Sequence, residues 1–115
     1  MQNNYSFTDS GIVEINTIKD MNQWIRLTDP TEDETKEMMD RFGIKPIYIK
    51  ASLDIDENSR VEASNGQLFI LVNMPYKDET GKFVSYNTLP LGIILTVKVL
   101  LTVALRDNDV IQRIL

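Results

Sequence analysis

With 115 residues, 43% of them hydrophobic and 25% charged, the chain has the composition of one globular domain and none of the bias of a disordered or fibrous sequence. It has no Cys and no His, which excludes disulfides, Cys/His zinc sites, HExxH proteases and nucleophiles activated by a histidine base. A net charge of −5 repels phosphate backbones and anionic lipid, so neither nucleic acid nor a membrane surface is an expected partner.

In chain order, residues 1–10 are rich in Asn, Ser and Thr and lack the basic start and apolar core of a secretory signal. They are expected to be a flexible N-terminal tail at a cytoplasmic start, with a single domain over 11–115. Gly11 opens the β-branched run IVEI, a strand, and WIRL (residues 24–27) alternates as a half-buried strand does until TDP stops it. A helix should follow, with Asp29 as N-cap, Pro30 at its first position and Glu32 three residues after the cap. Thr35, Met38, Met39 and Phe42 make its apolar stripe, and Gly43 is placed to close it in a left-handed conformation.

Beyond Gly43 the pattern is ambiguous: Ile47, Ile49, Ala51, Leu53 and Ile55 alternate as in a strand, while Ile47, Ala51 and Ile55 also share a helical face. RVEA, the Asn65-Gly66 turn and QLFILVNM then signal a β-hairpin with a largely buried second strand. KDETGK (77–82) reads as a polar connection, FVSYNTLPLGIIL as extended chain interrupted at Pro90, and VLLTVAL as a further apolar strand. A last helix should start at Asp107–Asp109 with Val110, Ile111, Ile114 and Leu115 as its apolar side; the chain stops within it, as expected of a piece of something longer. The apolar stretch from Leu89 to Leu105 is too short for a membrane span and carries Pro90, Gly92 and Lys98, so a buried hairpin is expected there.

The five glycines are scattered, which leaves no phosphate-cradling loop. Trp24, Phe42 and Phe69 lie on apolar runs and are expected in the core, and Thr102 is an ordinary strand residue. The remaining chemistry is carboxylate. Asp29, Glu32, Asp33, Glu34, Glu37 and Asp40 crowd one helix and read as a solvated face, its early acids favouring the helix N-terminus. Asp54, Asp56, Glu57 and Glu62 gather before the hairpin; such oxygen donors suit Mg²⁺, although DIDE lacks the glycine and terminal glutamate of an EF-hand loop. No two acids are marked as a catalytic pair, and no enzyme is expected.

Taken in order, WIRLTDP (24–30), the acidic helix ending in FGIKP (42–46), RVE (60–62), QLFILVNMP (67–75) and LLTV (100–103) resemble the N-terminal cytoplasmic domain of CorA-type divalent cation transporters. In that family a tryptophan strand precedes a helix closed by an F-G-aliphatic-x-P turn, and a second helix leads to an R-P-K-x-E-like segment, a buried strand and an aliphatic strand. The resemblance implies an α/β (α+β) fold, a mixed β-sheet with helices packed on it, and a helix from Pro46 to about Leu53.

It also implies the cytoplasmic regulatory and assembly domain of a magnesium or divalent metal transporter, at the cytoplasmic face of the membrane, with the other subunits of a pentamer as partners. The resemblance places the conducting helices, with their Gly-Met-Asn signature, outside this sequence, so this chain is not expected itself to conduct or contact the membrane. Many family members carry an acidic pair on the second helix that contributes to a regulatory metal site between subunits; Lys50 and Ala51 stand there in this sequence. A retained site for Mg²⁺ or another divalent cation would draw on Asp54, Asp56 and Glu57 and be weak in the isolated chain, which is expected to be monomeric or weakly associated. The alternative from another class is a free-standing soluble interaction or binding domain, with a two-carboxylate enzyme third.

Overall fold

The computed structural model describes residues 1–78 and 85–115. Its chain begins in strand β1 (Gln2–Thr8), where a loose tail was expected. β1 lies between β2 (Gly11–Ile15) and β3 (Gln23–Thr28), antiparallel to both. Asn and Gln are poor strand formers, but a ladder on each side and one aromatic pair outweigh propensity: Tyr5 faces Trp24 across the strands with ring centroids 5.1 Å apart.

β3 is buried along all six residues rather than on one face, because the sheet continues on both sides of it and both its faces are covered. The other elements are α1 (Glu32–Phe42), α2 (Pro46–Ser52), β4 (Arg60–Ser64), β5 (Gln67–Asp78), β6 (Ser85–Leu95), β7 (Leu100–Ala104) and α3 (Asp109–Ile114). Among the described residues seven strands form one sheet in the order β2-β1-β3-β7-β6-β5-β4. Among the described residues only the central β3–β7 pair is parallel, so the fold is the mixed sheet with packed helices that the resemblance implies.

α1 starts later than expected. Thr31, not Asp29, is the N-cap; its hydroxyl accepts from the Glu34 N–H at 3.2 Å, and the Glu34 carboxylate accepts from the Thr31 N–H at 2.9 Å. Asp29 is instead spent on the turn out of β3, with φ at 44° and its N–H donating to the Ala104 carbonyl. Met38 of the predicted stripe is buried, and Met39 and Phe42 pack at the edge of the same core. Gly43 ends α1 as expected, at φ 66° with its N–H on the Met39 carbonyl. A Cβ there would meet no neighbour, so the cost of a side chain is conformational alone. Gly43→Val is expected to destabilise the domain by about 1 kcal/mol or more, because a β-branched residue resists positive φ. Thermal melts of the two forms decide it, and an unchanged midpoint would remove the case for this cap.

The ambiguous stretch is helical from Pro46 to Ser52, and α2 turns Tyr48, Ile49, Ala51 and Ser52 onto the sheet. With Met38 and Ile44 they cover a core of Ile25, Leu27, Phe69, Leu71, Ile94, Leu101 and Val103 on one sheet face. On the other face Tyr5, Trp24 and Leu91 pack with Ile111 of α3. The Trp24 indole N–H donates to the Thr102 hydroxyl at 2.9 Å, so Thr102, expected as an ordinary strand residue, also satisfies a buried donor.

The Asn65-Gly66 turn takes positive φ at both residues and joins β4 to β5 as predicted. Lys77 and Asp78 of the expected connection belong to β5, and its residues 79–82 lie outside the described residues. Pro90 does not interrupt β6. Pairing with β7 ends at Leu91, so the missing N–H falls where β6 has a neighbour on one side only. β6 and β7 form the buried hairpin expected for Leu89–Leu105. Asn108 caps α3, its side chain accepting from the Ile111 N–H at 2.9 Å.

Candidate functional site

The acids of α1 stay spread along its exposed side, with Asp33, Glu37 and Asp40 interleaved with Lys36 and Arg41, the solvated face expected. The chemistry that remains lies where α2 runs out. An open groove of about 700 Å³ is bordered by Ile47, Lys50, Leu53, Asp54, Ile55 and Glu57. Ile47 and Ile55 are exposed large aliphatic side chains on its rim.

The loop between α2 and β4 presents the three predicted ligands, and the structure separates their roles. Asp54 folds back on its own loop, one carboxylate oxygen accepting from the Asp56 N–H at 2.9 Å. Glu57 is committed to Arg60 at 2.5 Å, and Arg60 also donates to Glu62 at 2.7 Å. Its hydrogen bonds to the accepting carboxylates, Glu57 first and Glu62 second, hold the guanidinium above its ordinary pKa. Arg60 lies over the Phe69 ring as well, 5.7 Å from its centroid, so this ion pair anchors β4 to the core edge.

Asp54 and Asp56 are left exposed, and no ion pair joins them to a basic side chain among the described residues. Among the described residues, no three acidic side chains converge closely enough to hold a metal ion. Within one chain the loop is therefore a pair of oxygen donors, and Glu57 is engaged elsewhere.

The two positions at which the resemblance implies acids are not equivalent. Ala51 is 2% exposed and packs into the core, so its methyl group is a core contact, while Lys50 points outward into the groove region. Of the two, position 50 is the exposed one, and it holds an ammonium, which repels a cation. Burial of a side chain within a seven-residue helix is set by the sheet beneath it, which is why the sequence treated the two positions alike.

Gly92, which in the sequence counts only against a membrane span, also has a packing role. A Cβ there would fall 1.7 Å from the Ser52 hydroxyl oxygen, so α2 sits directly on the β6 backbone at this point. A glycine inside an apolar strand is the signal that could have revealed it.

Among the described residues no helix is long and apolar enough to cross a membrane. The fold is shared with solved structures. The complete CorA magnesium transporter from Methanocaldococcus jannaschii matches with a TM-score of 0.75 and 20% identity over 98% of this chain and 35% of that one. The soluble domain of the same CorA gives 0.73 and 22%, over 98% of this chain and 44% of that one. The ZntB cytoplasmic domain from Vibrio parahaemolyticus gives 0.76 and 11%, over 96% and 46%. This chain thus spans less than half the length of each of these three. No curated protein matches its sequence. The family model described as CorA-like Mg²⁺ transporter protein matches residues 19–115, nearly the whole sequence, and the chain belongs to that family.

Proposed function

We propose that the chain is the cytoplasmic regulatory and assembly domain of a transporter for magnesium or another divalent cation. The observation that carries this reading is the family match across residues 19–115. The transported ion is substrate, handled by a membrane part outside these residues. Neighbouring copies, five in the full assembly, are the partners, and the arrangement of their domains biases the gate.

The surface at the end of α2 is the place from which this chain would sense metal. Asp54, which borders the groove, and Asp56, exposed two residues further on, are hard oxygen donors, half of a site that acids of a neighbouring copy would complete. A cation there neutralises carboxylates that otherwise repel each other, so the metal-loaded arrangement is the held one and loss of metal loosens it. Lys50 beside the groove weakens the site, and Glu57 serves the Arg60 pair rather than the metal. No catalytic role is proposed.

In the whole transporter reconstituted in liposomes, Asp54→Asn with Asp56→Asn is expected to relieve most of the inhibition that millimolar Mg²⁺ on the domain's side exerts on cation influx. Unaltered inhibition overturns the role of these two acids, and the absence of any cation flux in the unmodified protein overturns the transporter reading. The isolated chain gives a second measurement. With half a site present, millimolar Mg²⁺ against Na⁺ of matched ionic strength is expected to move its melting midpoint by less than about 1 °C, because stabilisation follows ligand concentration over dissociation constant. A saturable shift at micromolar metal would place a complete site within one chain.

A further inference from the structure

Among the described side chains of α3 only Ile111 is buried; Gln112, Arg113 and Ile114 are exposed. A further attachment is Asp107, just ahead of the helix. Its carboxylate accepts from the Arg26 guanidinium, from the Asn108 N–H at 2.9 Å and from the Gln112 amide at 2.7 Å. One acid thus joins the first and second halves of α3 to a strand at the centre of the sheet.

Arg26 is an unusual anchor. Its side chain is 7% exposed while that of Asp107 is 52% exposed, so the guanidinium is fixed in the sheet and the carboxylate is the part that can leave. A buried guanidinium without a partner is costly, and the departure of Asp107 would require a substitute acceptor. The structure holds one. Asn3 pairs directly with Arg26 across β1 and β3, and its side-chain oxygen is the one buried side-chain polar atom among the described residues with no hydrogen-bond partner. Directly opposed residues of an antiparallel pair place their Cβ atoms about 5 Å apart on the same sheet face, within reach of an arginine. Both groups open onto a cavity of about 400 Å³ between the sheet and α3, bordered also by Tyr5, Glu14 and Gln112.

We infer that Arg26 is a two-position latch: bound to Asp107 it holds α3 on the sheet, and turned to the Asn3 oxygen it releases α3 while remaining satisfied itself. The two arrangements exchange an ion pair with a carboxylate for a hydrogen bond from the same guanidinium to a neutral amide oxygen, so the held state dominates and the released state is a minor one reachable without unfolding. The inference concerns the coupling of α3 to the sheet and does not depend on the transport reading.

Hydrogen–deuterium exchange on the full 115-residue chain tests it. Asn3→Asp offers Arg26 a competing carboxylate and is expected to speed exchange across 109–115 about fivefold or more, with β3 and β7 unchanged. Asp107→Asn, which removes the charge from the held position, is expected to do the same. Unchanged exchange in α3 in both variants overturns the latch. So does loss of protection spreading through β3 and β7 in either, since a latch acts on α3 alone.

Discussion

Gly92→Ala is expected to destabilise the domain by about 2–3 kcal/mol, although Gly→Ala inside a strand would ordinarily help. The added Cβ would lie 1.7 Å from Ser52 Oγ, 2.5 Å from Ser52 Cβ and 3.5 Å from Phe69 Cε1. Rotating the hydroxyl away is not enough. Ser52 Cβ is carried by the helix backbone, and Ser52 Oγ is buried and donates to the Tyr48 carbonyl at 2.7 Å. Accommodation therefore means lifting α2 off β6, which loosens Tyr48 and Ile49 together. Urea denaturation of the two forms measures the loss. Ser52→Gly in the Gly92→Ala background removes both clashing atoms and is expected to recover part of it, so the pair shows strong coupling in a double-mutant cycle. A Gly92→Ala variant as stable as the parent would show that α2 does not rest on the sheet at this point.

Phe69→Ala is expected to cost about 3–5 kcal/mol, a large share of the total stability of a domain of this size. Phe69 is fully buried in β5, stacks on Tyr48 at 4.5 Å between centroids with 18° between ring planes, and lies opposite Ile94 of β6. Its ring thus fills the space between α2 and the middle of the sheet, and the site cannot collapse without moving the helix. Phe7 gives the contrast within one protein. It is 41% exposed on β1, and Phe7→Ala is expected to cost about 1 kcal/mol or less. Equal losses at the two positions would mean that the core is not organised around the α2–β5 contact.

The two variants probe the same packing that the sequence left open. From Ile47 to Ile55 the apolar residues satisfy a strand and a helix equally, because Ile47, Ala51 and Ile55 fit both periods. What decides for helix is the glycine at position 92 of a strand far along the chain, which lets a helix approach the sheet backbone, and the large ring at position 69 beside it. Neither has a local signature in residues 46–52.

Elements whose signals are local were legible directly. The Asn65-Gly66 hairpin, the left-handed Gly43 and the apolar stripe of α1 depend on backbone conformations and periodicities that residues a few positions apart dictate. The candidate loop shows the boundary between the two kinds of information. That Asp54, Asp56 and Glu57 form an oxygen-rich cluster follows from their order in the chain. That Glu57 is taken by Arg60, and that Ala51 faces inward while Lys50 faces the groove, depends on where the sheet lies beneath them.

By itself, then, the sequence determined the exclusions that follow from lacking Cys and His, the caps and turns that single residues impose, and an ordered series of motifs whose family the match over residues 19–115 shows. The tertiary structure alone decided that polar residues 2–8 form a strand, that Asp29 yields the cap to Thr31, and that Arg26, Asn3 and Asp107 share one corner of the fold. The physical reason is the same in each case: propensity and capping act over a turn or two of chain. Strand ladders, buried ion pairs and helix–sheet contacts join residues dozens of positions apart, and their energies exceed the local preferences they override.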